Sequence, residues 1–531
     1  MEQHPQSHPP GTAPGTTPAP GNVPAPGTPQ PPPTAWPPYS PYAPHAAPPP
    51  VPVVGLPASR VWSVILATLT ALCVLGLFIM QNAGPAPADE DEPLAAGAPN
   101  FILHIQARYV VGVGQLLSTM PNQDHGETLT QLSDQLSQVA VTPADRVRVI
   151  TVMGELLGHK EALTQLDSFR ETWADSVSDD VKDDVDTLAA LYAHGRDALT
   201  DEQQQDLIDD YDWFGRLALV HDQPAGSSER QAVMAPTLRT VVGMLGIVMG
   251  GGAASIAGLV LLIIALVHVS QRRFRWAYAW QHPSAVVNRS PYLEAFILFL
   301  LGVPALGILA DRLSDHVPHA VAIQVVWLLL LLPVWIRLRG VPWSTMCAGL
   351  GWHKGRGVIR EVFAGVFGYM AGLPLLIAGL IVTLILAQFM HLFVPPDAPG
   401  IGAEQAGAPG PAPTPGPVHP VVYELSHVAP WQLMLLGLLL AGWAPIVEET
   451  LFRGALYHVM RRRWSIFLSA TATGFMFAAI HPQGVLGIPP LMALGATFAF
   501  LREWRGSIIA PITAHALNNG MIFVLFVMVA R

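Results

Sequence analysis

The chain has 531 residues, 51% of them hydrophobic and only 12% charged, with a mean hydropathy of +0.39. Soluble domains carry about 25% charged residues, so this composition excludes an ordinary soluble enzyme and indicates a membrane protein. Two cysteines exclude a disulfide framework or a Cys-rich metal site. The net charge of −10 arises largely from one stretch and identifies no partner for the whole chain; no nucleic-acid partner is expected.

In chain order, residues 1–58 are a tract of Pro, Ala, Gly and Thr that cannot bury enough apolar surface to fold, and are expected to form a disordered tail. Residues 59–82 contain an uncharged run, Val61 to Met80, long enough to cross ~30 Å of hydrocarbon. It lies too far into the chain, and lacks the small-residue cleavage site, for a removed signal peptide, so a permanent anchor is expected. Residues 83–237 form an acidic, mainly helical extramembrane region that opens with Asp89-Glu90-Asp91-Glu92. Within it, Thr142-Pro143-Ala144-Asp145 marks a helix start, Thr200-Asp201-Glu202-Gln203 fits a capping box, and Val147, Ile150 and Leu157 recur on one helical face. The run Asp179, Asp180, Asp183, Asp184, Asp186 lacks the alternating ligands, central Gly and terminal Glu of a calcium loop; a solvated helix surface is expected.

Further apolar stretches fall near 240–268, 292–310, 320–336, 361–392, 431–460, 464–482, 484–501 and 507–530. With the anchor they make about nine transmembrane helices of an all-α polytopic membrane protein, divided into membrane helices at 238–393, a Pro/Gly-rich loop at 394–430 and a C-terminal membrane core at 431–531. With nine spans, Arg60, Arg272–Arg275, Arg337–Arg360, Arg461–Arg463 and Arg502–Arg505 all fall on one side. The positive-inside rule then sets the N-terminus in the cytoplasm of a prokaryotic cell membrane. Three features do not carry chemistry. Gly250-Gly251-Gly252 lacks the Lys-Ser/Thr of a phosphate loop and suits close helix packing. No His-Glu-x-x-His or Gly-x-Ser-x-Gly is present, and Glu294 stands alone at the edge of a span as an interfacial residue.

The exceptional string is Glu448-Glu449-Thr450-Leu451-Phe452-Arg453, three charges in an apolar segment where each costs roughly 2.5–3.5 kcal/mol. Glu449 and Arg453, four apart, share a helix face and pair. Glu448 is turned away by roughly 100° and is left to take a proton from water, while Pro445 one turn earlier opens the backbone. His481 follows Phe477 by four residues, and Asn519 follows His515 by four, two polar groups on one stripe suited to an oxyanion.

Glu448-Glu449-x-x-x-Arg453, Phe477-x-x-x-His481 and His515-x-x-x-Asn519 resemble the three motifs of the CPBP intramembrane protease family, which includes type II CAAX prenyl endopeptidases and lysostaphin-resistance-like proteins. The resemblance covers roughly residues 430–530. It implies an intramembrane endopeptidase in which Glu448 and His481 activate a water, His515 and Asn519 form the oxyanion site, and Glu449 and Arg453 support them. The implied substrate is a membrane-associated protein or peptide, with a lipidated C-terminus in the CAAX form. A metal-independent glutamate mechanism without cofactor is expected, with zinc on Glu and two His as the alternative. The competing class is a non-catalytic immunity or scaffold protein or a transporter. Transporters distribute ionisable residues over two related halves, whereas here they cluster at one end.

Overall fold

The computed structural model describes residues 60–82, 101–120, 125–140, 142–173, 177–278, 289–393 and 429–530. The tail at 1–58, the Asp89–Glu92 run and the loop residues 394–428 lie outside the described residues. The anchor is α1 (Arg60–Asn82). The region expected to lie outside the membrane follows as α2 (Phe101–Ser118), α3 (Gly126–Ser137), α4 (Pro143–Leu156), α5 (His159–Trp173), α6 (Asp179–His194), α7 (Asp201–Tyr211) and α8 (Trp213–Leu219).

Local chemistry starts these helices where the sequence indicates. Thr142 caps α4 by accepting the Asp145 amide at 3.1 Å, while its own amide donates to Asp145 at 3.3 Å. Thr200 and Gln203 form the same reciprocal pair at α7. Val147 and Ile150 enter a continuous apolar core with Leu166, Leu188, Leu207 and Phe214. The aspartate run is only partly a solvated surface: Asp179, Asp180, Asp183 and Asp186 are exposed, but Asp184 is buried. Helical periodicity turns Asp184 inward beside Val181, Val185 and Leu188, because residues three and four apart share a face.

The expected boundary at 237/238 is not a linker. One helix, α9 (Ser228–Ser270), runs through it for 43 residues, roughly 65 Å, and its first turns belong to the extramembrane core through Val233 and Met234. Gly250, Gly251 and Gly252 do not pack against a neighbour, since a Cβ at each would meet nothing within 4 Å. Close packing occurs two turns later, at Gly258, where a Cβ would collide with the Met370 carbonyl.

The remaining helices are α10 (Ser290–Ser314), α11 (His319–Leu338), α12 (Trp343–Leu350), α13 (Val358–Phe393), α14 (Pro430–Met460), α15 (Ile466–Ala479), α16 (Gly484–Arg505) and α17 (Ile509–Ala530). Among the described residues, eight helices are long and apolar enough to cross a membrane: α1, α9, α10, α11, α13, α14, α16 and α17. The ninth expected span, 464–482, is a correction. Its helix α15 has 14 residues, about 21 Å against ~30 Å of hydrocarbon. Pro482 explains the stop, because proline pushes the residue before it, His481, out of helical conformation. His481 therefore sits on a turn inside an apolar hairpin of α15 and α16.

Two expected surface arginines are also inside the protein. Arg505 pairs with Glu361 of α13 at 2.8 Å, and Arg502 donates to the Gly349 carbonyl at 2.9 Å. Between them, Glu503 accepts from Tyr457 at 2.8 Å and from Arg461 at 3.1 Å. These side chains tie α12, α13, α14 and α16 into one polar layer. Glu294, expected to stand alone at an interface, is buried and accepts from Trp62, Trp335 and Arg339.

Candidate active site

The helix that carries the acidic pair is not regular. Two π turns, Leu439–Trp443 and Thr450–Leu456, flank a short α segment, Ala444–Glu449. Pro445 gives a reason for the first. Its ring would crowd the carbonyl four residues back in an α-helix, and a wider turn relieves that clash. Such insertions recur at functional sites because they re-aim side chains and free backbone carbonyls. Here the freed carbonyl is that of Leu440, which accepts from the Asn519 amide at 3.0 Å.

Glu449 and Arg453 are both fully buried and pair at 2.8 Å. The guanidinium is held further by the Gly495 carbonyl at 2.8 Å and lies between the Phe477 and Phe498 rings, 4.8 and 5.2 Å from their centroids. Stacking on aromatic faces lowers the cost of burying this cation. Gly495 is required by close approach: a Cβ there would lie 2.8 Å from the Gly474 Cα and 3.2 Å from Arg453.

His515 joins this pair from α17. Its Nδ1 lies 2.9 Å from the Glu449 carboxylate, its ring stacks on Phe498 at 5.0 Å, and its Nε2 faces Glu448 Oε2 at 3.9 Å. That last separation exceeds a hydrogen bond and is one to ask a bridging water of. Glu448 Oε2 has no hydrogen-bond partner among the described residues. The two glutamates thus divide as the sequence indicates, with Glu449 committed to Arg453 and His515 and Glu448 held apart.

His481 donates through Nδ1 to the Phe477 carbonyl at 2.5 Å, which leaves Nε2 as its basic nitrogen. Phe477 relates it to the rest of the site, 4.3 Å from the His481 ring and 5.6 Å from that of His515. All six expected residues therefore belong to one neighbourhood, although the imidazole directly facing Glu448 is His515. Arg505 is buried against Glu361 and does not mark the membrane surface.

Sequence reasoning missed Phe498, Gly495, Trp352 and Asn518. Trp352 donates to Thr450 at 3.1 Å. Asn518 links Tyr369 of α13 to Asn519, accepting from the former at 3.3 Å and donating to the latter at 3.2 Å. Asn518, as a second amide in an apolar span, was the one visible signal; Phe498 and Gly495 look like ordinary membrane-helix residues. No group of three or more His, Cys, Asp or Glu side chains among the described residues is arranged to hold a metal ion.

Residues 430–521 match the Rce1-like family. That family model is described as type II CAAX prenyl endopeptidase Rce1-like, and the match covers the same residues as the motif resemblance. The chain is also similar to an uncharacterized 24.3 kDa protein of Escherichia coli. The two are 35% identical over 86 residues, covering 15% of this chain and 40% of that protein. The chain thus spans well under half the length of this relative. No solved structure matches.

Proposed function

We propose that this multi-pass membrane protein is an intramembrane endopeptidase of the CAAX-protease type, cleaving a peptide bond in a membrane-associated protein or peptide by direct attack of water. The observation that carries the reading is the division of the acidic pair: Glu449 bound to Arg453 and His515, Glu448 Oε2 without a hydrogen-bond partner among the described residues and 3.9 Å from an imidazole nitrogen.

Charge balance assigns the roles. Two buried carboxylates and one guanidinium leave one uncompensated negative charge, which is costly in a low-dielectric interior. A proton on His515 closes the balance and makes Nε2 a donor. Glu448 takes a proton from the water as its oxygen attacks the scissile carbonyl, and His481 Nε2 accepts a hydrogen bond from the same water. The tetrahedral oxyanion receives hydrogen bonds from His515 Nε2 and from the second amide hydrogen of Asn519. Glu448 then passes its proton to the leaving amine, the C–N bond breaks, and a carboxylic acid and an amine are released. Glu449 and Arg453 do not touch substrate in this scheme; they orient and charge His515, as the third member of a triad orients its base. No metal is used. A lipidated C-terminus on the substrate is the CAAX form of the proposal, and a cytoplasmic N-terminus rests on the clusters at Arg60, Arg272–Arg275, Arg337–Arg360 and Arg461–Arg463, which share one side without counting α15 as a span.

The test is a comparison of newly formed protein termini in membranes from cells expressing the wild-type chain, Glu448→Gln or His481→Ala. Termini present with the wild type and lost with both variants are expected, and cleavage by the purified protein should persist in chelator. Full cleavage by purified Glu448→Gln protein would overturn the assignment.

A further inference from the structure

α1 lies outside the Rce1-like segment and is fastened at both ends, to α10 and to the end of α15. Near its start, the Trp62 indole donates to Glu294 at 3.2 Å; at its end, the Gln81 amide donates to the Ile480 carbonyl at 2.7 Å, next to His481. Between the two attachments Leu66, Thr70 and Val74 are buried against neighbouring helices, but the packing beside them is incomplete. A cavity of about 870 Å³ runs beneath it, and α1 contributes a stripe at helical spacing, Ser63, Leu66, Thr70, Val74 and Phe78 among it. That stripe is about 22 Å long, more than one leaflet of a ~30 Å hydrocarbon core. The facing wall is apolar and comes from Leu456 and Met460 of α14, Phe475 and Ala479 of α15 and Leu293 of α10.

One end of the groove differs in chemistry. Arg289, Arg462, Arg463 and Trp464 line it, at the end of α14 and the start of α10. Arg461 is engaged by Glu503 and Arg289 donates to the His458 carbonyl at 2.5 Å, but Arg462 and Arg463 are exposed and make no salt bridge among the described residues. Burial, with the like charge of Arg462 adding to it, holds the Arg289 guanidinium below its usual pKa. Cations left facing one another, with no acid between them, form an anion site. Trp464 beside them is the amphipathic residue typical of the headgroup level.

We infer that the groove under α1 is a binding site for a bilayer glycerophospholipid with an anionic headgroup, its acyl chain along the α1 stripe and its phosphate between Arg289, Arg462 and Arg463. The acyl chain fills the space left between the α1 stripe and the facing apolar wall. The inference does not rest on the peptidase reading, since none of the three arginines belongs to the proposed catalytic set.

The experiment is native mass spectrometry of the full chain, released from nanodiscs made with equal amounts of phosphatidylglycerol and phosphatidylcholine. The wild-type protein is expected to retain phosphatidylglycerol in preference. Arg462→Ala with Arg463→Ala should reduce that preference by about fivefold for each arginine, the ordinary worth of a basic side chain at an anionic lipid surface. Ala71→Trp, which fills the groove, should abolish retention of both lipids. Equal retention of the two lipids by the wild type, or a preference unchanged by the arginine pair, overturns the inference. So does displacement of phospholipid by an added lipidated peptide at equal concentration. The arginine variants alter exposed side chains and decide the matter even if Ala71→Trp fails to fold.

Discussion

Between α4 and α7 the protein buries Val147, Ile150, Leu188 and Leu207, whereas between α14, α16 and α17 it buries Glu449, Arg453, Arg502, Glu503 and His515. The first region follows the rule for a domain in water, with apolar faces inward and most charges outside. Its clearest exception, Arg148, pairs with Asp145 one turn away at 3.0 Å and donates to the Asp210 carbonyl of α7 at 3.3 Å. The second region reverses the pattern where the surrounding solvent is apolar. Its buried charges are joined between helices, Arg505 to Glu361 across α16 and α13 and His515 to Glu449 across α17 and α14. The contrast separates ionic groups that hold helices together from Glu448, whose Oε2 makes no hydrogen bond among the described residues and lies 3.9 Å from His515 Nε2.

That separation can be broken at its strongest point. Arg453→Met removes the cation and leaves Glu449 buried with only His515 to answer it, and breaking a buried pair by one partner costs about 3–5 kcal/mol. Loss of folded protein on thermal melting in detergent, together with loss of cleavage, is expected. Glu448→Gln should do the opposite to stability and the same to activity. Cleavage falls by about 10²–10⁴-fold, the usual worth of a general base, while the melting temperature stays within a degree or two of wild type. Equal destabilisation by both variants would make Glu448 another structural ion and erase the distinction.

What the sequence revealed divides along the same line. Interactions within one helical turn were legible: Glu449 with Arg453, Thr142 with Asp145, Phe477 with His481. Their partners follow from a period of 3.6 residues and need no tertiary knowledge. Contacts between distant segments were not. His515 meets Glu449 across 66 positions, and motif order indicated that they belong together without indicating that His515 faces Glu448. Arg502 and Arg505 were counted as surface charges because their acceptors, a backbone carbonyl and Glu361, lie 153 and 144 positions away. The ninth span failed for a local reason, Pro482, which hydropathy averaged over a window does not register.

In the extramembrane region, Asp184 tests the rule from the other side, as an acid buried without a cation paired to it. Burial, opposed by the Tyr211 hydroxyl and aided by Asp210, Asp180 and Asp206, pushes its carboxyl up to about 7 from 3.8. Below pH 4 both folded and unfolded chains hold the proton. Between about 4 and 7 only the folded chain does, so stability declines as pH rises through that window. Asp184→Asn is therefore expected to slow hydrogen exchange in α6 at pH 8, by about 1–2 kcal/mol, and to change little at pH 4. An equal effect at both pH values would remove titration as the cause.

The smallest effect belongs to the cap of α4. Thr142→Ala removes the acceptor for the Asp145 amide and costs about 1 kcal/mol, read as faster exchange in the first turn of α4. Asp145 is also the partner of Arg148, which lies over the Tyr211 ring at 5.5 Å, so part of the change should reach α7. Cleavage at the Glu448 site should be unaltered, because no residue of this cap contacts α14, α15 or α17. If cleavage does fall with Thr142→Ala, the two regions are coupled, and α9, continuous from the extramembrane core into the apolar helices, is the element through which the coupling would run.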